Sequence, residues 1–169
     1  MQRSHSMIDA ARLKQFVMLG YLTDEMREKL VPITEMLMFD TDEKIFSQGD
    51  NADRLFLLET GKVLLENRIT DHMAVAMTSI KPGYSFGWSA MLNEDVYSSD
   101  AMATEPSRVF SFRADKIKRI MDQDHSMGFI ISQRLLYVIK KRYDVRTEQF
   151  GKTIRLHPDI SVLLGEQDS

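Results

Sequence analysis

The sequence predicts a mainly β fold: a double-stranded β-helix (jelly-roll) barrel with flanking helices and a long C-terminal helix. Short apolar runs alternate with turn residues over 37–112, which is typical of closely spaced antiparallel strands. Helical periodicity precedes this segment and returns after it. The 169 residues suit a single domain. We therefore expect helices over 8–36, the barrel over 37–112 and C-terminal helices over 113–150.

The N-terminal region carries clear helix signals. Thr23 is a good N-cap, and Asp24 and Glu25 place negative charge at the positive end of the helix that follows. Pro32 is expected to shorten this helix, because proline removes a backbone donor. Residues 1–7 are polar and without pattern, so we expect a disordered leader there.

The strands of the middle segment are separated by residues that favour tight turns. Gly49 and Gly61 suit tight turns that need a positive φ, and they stand on either side of the apolar run Leu55–Leu58. No segment of helical length interrupts these strands. The pattern therefore favours an antiparallel sandwich or barrel.

A long helix is predicted from about His125 to Phe150. Its apolar positions step by four and then three residues, which is typical of paired helices. We expect a homodimer, and the residues expected at its interface are Ile131, Leu135, Val138, Arg142 and Val145. The tail over 151–169 is too short for a helix-turn-helix domain, so direct DNA binding is not expected.

Composition argues against several classes of function. The chain has no cysteine, which excludes disulfides, thiolate metal sites and a cysteine nucleophile. None of the four histidines has metal-ligand spacing, and no metal or cofactor is expected. His72, at a hairpin tip, is either an exposed loop residue or a haem ligand. No nucleophile elbow is present, so we expect no enzyme. No apolar run could span a membrane, and a cytoplasmic protein is expected.

Two segments carry specific motifs. Ile45–Val63 reads IFSQGDNADRLFLLETGKV, and Ile80–Trp88 reads IKPGYSFGW. They resemble the patterns I-F-x-x-G-D-x-A-D-x-L and L-x-x-G-x-x-F-G-E of the catabolite-activator and fumarate-nitrate-reductase regulator family, whose fold also serves kinase regulatory subunits and cyclic-nucleotide-gated channels. The resemblance covers approximately 19–150. It implies a non-enzymatic cyclic nucleotide-binding domain that acts as a regulatory sensor.

The resemblance also implies a phosphate cassette, in which this chain departs from the family. The family's cassette begins with Gly-Glu and ends with an Arg; the Arg and the amides of a short helix hold the cyclic phosphate, and the Glu holds the ribose. Here Trp88 stands at the Glu position and Ser98 at the Arg position. Losing the Arg costs about 2–5 kcal/mol in a desolvated site, or roughly 30- to 5,000-fold in affinity. We therefore expect cyclic AMP and cyclic GMP not to bind in the usual way.

A small-molecule site of unknown ligand is still expected around this cassette. Trp88 either stacks on a planar ligand or plugs the vacated pocket. Arg142 either faces the pocket from the long helix or is a solvated helix residue. Asp100 would repel an anion if it pointed inward. The expected ligand-binding residues are Phe86, Gly87, Trp88, Ser89, Ala90, Ser98, Ser99 and Arg142.

Two classes of function follow from these expectations. The first is a small-molecule sensor that signals through its dimer helix to another protein. The second is a ligand-free dimerisation or adaptor module derived from a nucleotide-binding regulator. A small molecule found against the cassette would separate them.

Overall fold

The computed structural model describes residues 2–3, 8–70, 73–92 and 95–155. The chain divides into two compact units, Met1–Ile131 and Ser132–Ser169. The first unit contains the N-terminal helices, all strands and the start of the long C-terminal helix. The second unit contains the rest of that helix.

The N-terminal helices are shorter than predicted. Helix α1 spans Ala10–Leu13 and α2 spans Asp24–Leu30, followed by a 3₁₀ turn at Val31–Ile33. The predicted N-cap is confirmed, since the Thr23 hydroxyl accepts a hydrogen bond from the Met26 amide at 3.2 Å. The α2 helix ends just before Pro32, as expected from the missing proline donor. The barrel therefore begins at Thr34, three residues earlier than predicted.

The predicted antiparallel barrel is confirmed. Its strands have the order β1-β2-β7-β4-β5, with β3 paired to β7 and β6 paired to β4. Every pairing is antiparallel. The strands are β1 (Gln2–Arg3), β2 (Thr34–Phe39), β3 (Lys44–Phe46), β4 (Arg54–Thr70), β5 (Met73–Ile80), β6 (Ser85–Phe86) and β7 (Asp100–Arg113).

Two predicted boundaries need correction at the ends of the barrel. Gln2 and Arg3 pair with Met38 and Leu37, so part of the expected disordered leader is an edge strand. The remainder of 1–7 lies outside the described residues. The barrel also ends later than predicted: β7 reaches Arg113, because Arg113 still pairs with Arg54.

Alternation along β4 divides the core into two layers. Phe56 and Leu58 belong to the cluster inside the barrel. Leu55 and Leu57 point to the opposite side, where they line a small apolar void together with Ile131. Neighbouring residues of a strand face opposite sides, so one strand supplies both layers. The helices of the first unit cover the outer layer.

A partly buried ion pair connects α1 to the barrel. The Glu59 carboxylate, only 8% exposed, accepts hydrogen bonds from Arg12 Nη2 at 2.7 and 2.9 Å and also contacts Arg108 Nε. The Arg12 guanidinium lies 5.1 Å from the centre of the Phe110 ring. A charged group is kept in this position because its partners replace the lost water contacts.

The C-terminal helices are α3 (Ala114–Gln123) and α4 (His125–Arg155). The α4 helix is about 46 Å long at 1.5 Å per residue. It continues five residues past the predicted end at Phe150, so the expected tail begins after Arg155, outside the described residues. The described helices include none that is both long and apolar enough to cross a membrane.

Candidate functional site

The expected cassette is a tight turn followed by a short helix. Phe86 ends β6, Gly87 has a φ of 76°, and Trp88–Met91 form a 3₁₀ helix. A Cβ on Gly87 would lie 2.9 Å from the Phe56 ring and 3.0 Å from the Arg54 carbonyl oxygen. Only glycine therefore fits this turn without strain. The structure brings Phe86, Gly87, Trp88, Ser89 and Ala90 together as one segment.

The Trp88 indole is directed out of the barrel. Its Nε1 donates a hydrogen bond to Ser85 Oγ at 3.1 Å. Ser85 pairs with Leu57 on β4, whereas Phe86 pairs with Phe56. Paired residues share a side of the sheet, so Ser85 lies in the outer layer, with Leu57. The indole nitrogen therefore lies on the helix side, and Trp88 is outside the interior cluster. From this position the Trp88 indole is not placed to plug the interior of the barrel, nor to stack on a ligand there.

Four aromatic rings lie in the barrel interior, and one of them, Phe86, belongs to the cassette. The ring centres of Phe46 and Tyr97 are 3.9 Å apart and nearly parallel. Phe46 and Phe56 are 5.5 Å apart, and Phe56 and Phe86 are 5.2 Å apart. Among these residues only Phe86 was a predicted site residue. Phe46, Phe56 and Tyr97 were not predicted as site residues, because an aromatic residue within a barrel motif is usually part of the hydrophobic core.

Tyr97 is the one of these four residues that also forms side-chain hydrogen bonds. It is 4% exposed, and its hydroxyl donates to the Arg54 carbonyl at 2.8 Å and accepts from the Arg54 amide at 3.1 Å. Burial raises the pKa of the Tyr97 hydroxyl to about 12. The Tyr97 amide and carbonyl also bond to Asp50 and Gly49, at 2.9 Å each. Both ends of this residue are therefore fixed to the strand β4 and the turn before it.

Ser98 and Ser99 lie between Tyr97 and the first residue of β7, Asp100. Ser98 is exposed and Ser99 is half-buried. Asp100 comes next, and it points away from the interior, because Ala101 and Ala103 occupy the inner side of β7. The inward repulsion considered from the sequence therefore does not arise.

The Asp100 carboxylate is held by cations on the outside of the barrel. It accepts from the Gln48 amide at 2.6 Å and from Arg68 Nη2 at 3.2 Å, with Lys44 Nζ 3.7 Å away. Burial acts to raise the pKa of Asp100, but the hydrogen bonds from Gln48 and Arg68 outweigh it and lower the pKa below its usual value. These cations therefore already have an acidic partner.

Arg142 belongs to the second unit, on α4. Burial lowers the pKa of its guanidinium to about 9, and the positive charge of Arg146 adds to this effect. Its role in the expected ligand site stays a prediction. His72 lies outside the described residues, so the haem alternative stays open as well. In the ranges that the structure describes, no group of three or more acidic or histidine side chains could hold a metal ion.

The residues predicted at the dimer interface differ in their exposure, and their role at an interface stays a prediction. Ile131, Leu135 and Val138 are buried within a single chain. Val145 is 50% exposed. A second apolar series, here called the outer stripe, is between 59 and 66% exposed and consists of Phe129, Leu136, Tyr143 and Phe150. Its members are seven residues apart, which is the repeat of a coiled coil.

Comparison with known proteins identifies the family. The family model of the cyclic nucleotide-binding domain matches residues 36–124, more than half of the chain. The chain belongs to the cyclic nucleotide-binding domain family. The cyclic AMP receptor protein of Thermus thermophilus is 28% identical over 102 residues, covering 58% of this chain and 47% of that protein. The chain spans less than half the length of the curated relatives it matches.

Solved structures show the same fold. A cyclic nucleotide-binding domain from Methylobacillus flagellatus superposes with a TM-score of 0.77 at 18% identity, covering 85% of this chain and 83% of that one. The regulatory domain of Toxoplasma gondii PKA, crystallised with cAMP, gives a TM-score of 0.65 at 20% identity, covering 76% and 48%. The chain is thus a member of a regulatory and sensor family by its sequence, and it shares the fold of these structures.

Proposed function

We propose that this domain is a non-enzymatic regulatory domain that does not hold cyclic AMP or cyclic GMP by the family's usual contacts. In this proposal it senses a different small molecule and signals through paired α4 helices to another protein. The single observation that carries the proposal is the cassette: Trp88 at the usual Glu position turns its indole out of the barrel, and Ser98 stands at the usual Arg position.

Electrostatics around the cassette support this proposal. A cyclic phosphate needs a positive partner in a partly desolvated site, and a serine hydroxyl supplies no charge. Two cations on the adjoining strands, Lys44 and Arg68, already surround the Asp100 carboxylate on the outer side. An indole can donate but cannot accept a bond from a ribose hydroxyl.

The second candidate is a ligand-free dimerisation or adaptor module. It is favoured by the interior aromatic cluster, because Phe46, Phe56, Phe86 and Tyr97 occupy the barrel next to the cassette. Densely packed rings leave little space for a further planar molecule. The two candidates differ only in whether a small molecule enters the barrel.

The proposed partner of α4 is a second copy of this chain. The predicted interface residues Ile131, Leu135 and Val138 are buried within one chain, so the proposal moves the contact to the outer stripe. Four large apolar side chains at a seven-residue repeat supply one of the two apolar positions per heptad that the seam of a two-helix coiled coil uses. Pairing of two α4 helices would bury these side chains, which explains why they are exposed in the single chain.

Calorimetric titration with cyclic AMP and cyclic GMP tests the proposed function. The wild-type protein is expected to show no binding at micromolar concentrations. A matched variant, Trp88→Glu with Ser98→Arg, restores the two side chains that the family uses. It is expected to bind at least about 30-fold more tightly than wild type, since one charge-assisted phosphate contact is worth about 2 kcal/mol or more. Micromolar binding by the wild-type chain would overturn the proposal.

A further inference from the structure

Tyr97 differs from the other interior rings in its position in the chain. Phe46, Phe56 and Phe86 lie on strands β3, β4 and β6, whereas Tyr97 lies outside the strands, three residues before β7 begins. Its ring nevertheless reaches the interior cluster and stacks on Phe46 at 3.9 Å. A loop residue therefore supplies part of the barrel core.

The polar end of Tyr97 is satisfied entirely by the chain. The hydroxyl forms two hydrogen bonds with the backbone of Arg54, one as donor at 2.8 Å and one as acceptor at 3.1 Å. A phenol is thus held by ring stacking on one side and by an amide–carbonyl pair at its polar end. An unattached phenol would meet the same groups and could make the same contacts.

The segment that follows depends on this anchor. Tyr97 holds the start of Ser98–Ser99, and Asp100 holds its end through the Gln48 amide at 2.6 Å. The position of these two serines is therefore set by two internal contacts, an aromatic stacking contact before them and a hydrogen bond to the Asp100 carboxylate after them.

We propose that Tyr97 is an internal ligand of the barrel: its ring occupies a phenol-binding site and fixes the Ser98–Ser99 segment without any external molecule. The inference rests on the second candidate function, the ligand-free module, and gives it a mechanism. Removing the ring leaves an apolar space that also contains one unpaired amide and one unpaired carbonyl. Such a site selects a phenol over an aromatic hydrocarbon, because the hydrocarbon leaves both backbone groups without a partner.

The test is chemical rescue of Tyr97→Ala by p-cresol, which has the shape of the missing side chain. Apolar cavities made by truncation do bind small aromatic molecules. We expect p-cresol to raise the melting temperature of Tyr97→Ala, and to bind it at least about tenfold more tightly than toluene does, which corresponds to one hydrogen bond. Wild type, Tyr97→Phe and Tyr84→Ala, whose tyrosine is largely exposed, should show no such binding.

Hydrogen exchange at the amides of Gly49 and residue 97 provides the second measurement, since these amides form the two backbone hydrogen bonds, each 2.9 Å long, that hold Tyr97 to the turn before β4. Protection is expected to fall at least about tenfold in Tyr97→Ala and to return when p-cresol is added. If Tyr97→Ala does not fold alone, refolding with and without p-cresol replaces the melting experiment, and recovery only with p-cresol supports the inference. Equal affinity for toluene and p-cresol, or no rescue in any assay, would refute it. Cyclic nucleotide binding by wild type tests the proposed function separately, since it needs neither Tyr97 variant.

Discussion

Replacement of Leu136 by lysine is expected to dissociate the proposed dimer. Complete burial of a side chain of this size contributes about 1.5–3 kcal/mol, and 59% of Leu136 is exposed in the single chain. Each copy therefore loses about 1–2 kcal/mol of burial, or about 2–4 kcal/mol for the pair. This corresponds to a dissociation constant roughly 30- to 700-fold higher, before the cost of placing two ammonium groups in the seam is added.

Sedimentation equilibrium over a concentration series measures this change directly. Val145→Lys is the matched control, because Val145 is an exposed apolar residue of the same helix that lies outside the outer stripe. It also belonged to the interface predicted from sequence. If the outer stripe forms the interface, Leu136→Lys should dissociate the dimer, whereas Val145→Lys should change the measured mass little. The reverse result would restore the sequence-based interface, and an unchanged mass for both variants would refute pairing through α4.

Two further predictions concern the barrel. Gly61→Ala should lower the free energy of unfolding by about 2–5 kcal/mol, because its Cβ would lie 2.3 Å from Ser107 Oγ and its φ is +92°. Gly49→Ala also has a positive φ, but its Cβ would meet nothing within 4 Å, so the loss should be only about 1–2 kcal/mol. Urea unfolding measures both losses. Equal losses would contradict this reasoning. The lowered pKa of Asp100 means that its stabilisation is complete above the ordinary carboxyl pKa of about 3.9 and is lost as the pH falls through the lowered value. The gap in melting temperature between wild type and Asp100→Asn should therefore narrow towards pH 3, and a constant gap would argue against the ion cluster.

Local signals predicted the elements that local chemistry determines. Thr23 caps α2 as expected, and both Gly49 and Gly61 have the positive φ that their turns were expected to need. The barrel followed from strand and turn spacing, since neither depends on distant contacts. Boundaries shifted by a few residues, as at Thr34 and Arg113, where pairing with a distant strand extends β2 and β7.

The candidate site needed information that one sequence does not carry. Trp88 could be aligned to the cassette, but its direction depends on Ser85, whose side of the sheet is fixed by pairing with Leu57. Tyr97 precedes two polar serines and gave no signal of burial. Along α4 apolar residues occupy more than one face, so periodicity alone could not decide which face is buried. Tertiary packing makes that choice.

The outward direction of Trp88 changes how an optical assay of this protein should be interpreted. The chain has a single tryptophan, and α3 packs next to the 3₁₀ helix that carries it. Its emission would respond to displacement of α3 and to solvent at the outer surface, rather than to a molecule among the interior rings. A titration without any change in Trp88 fluorescence would therefore not show that the barrel interior is empty. A change in emission would show that the surrounding helices had shifted.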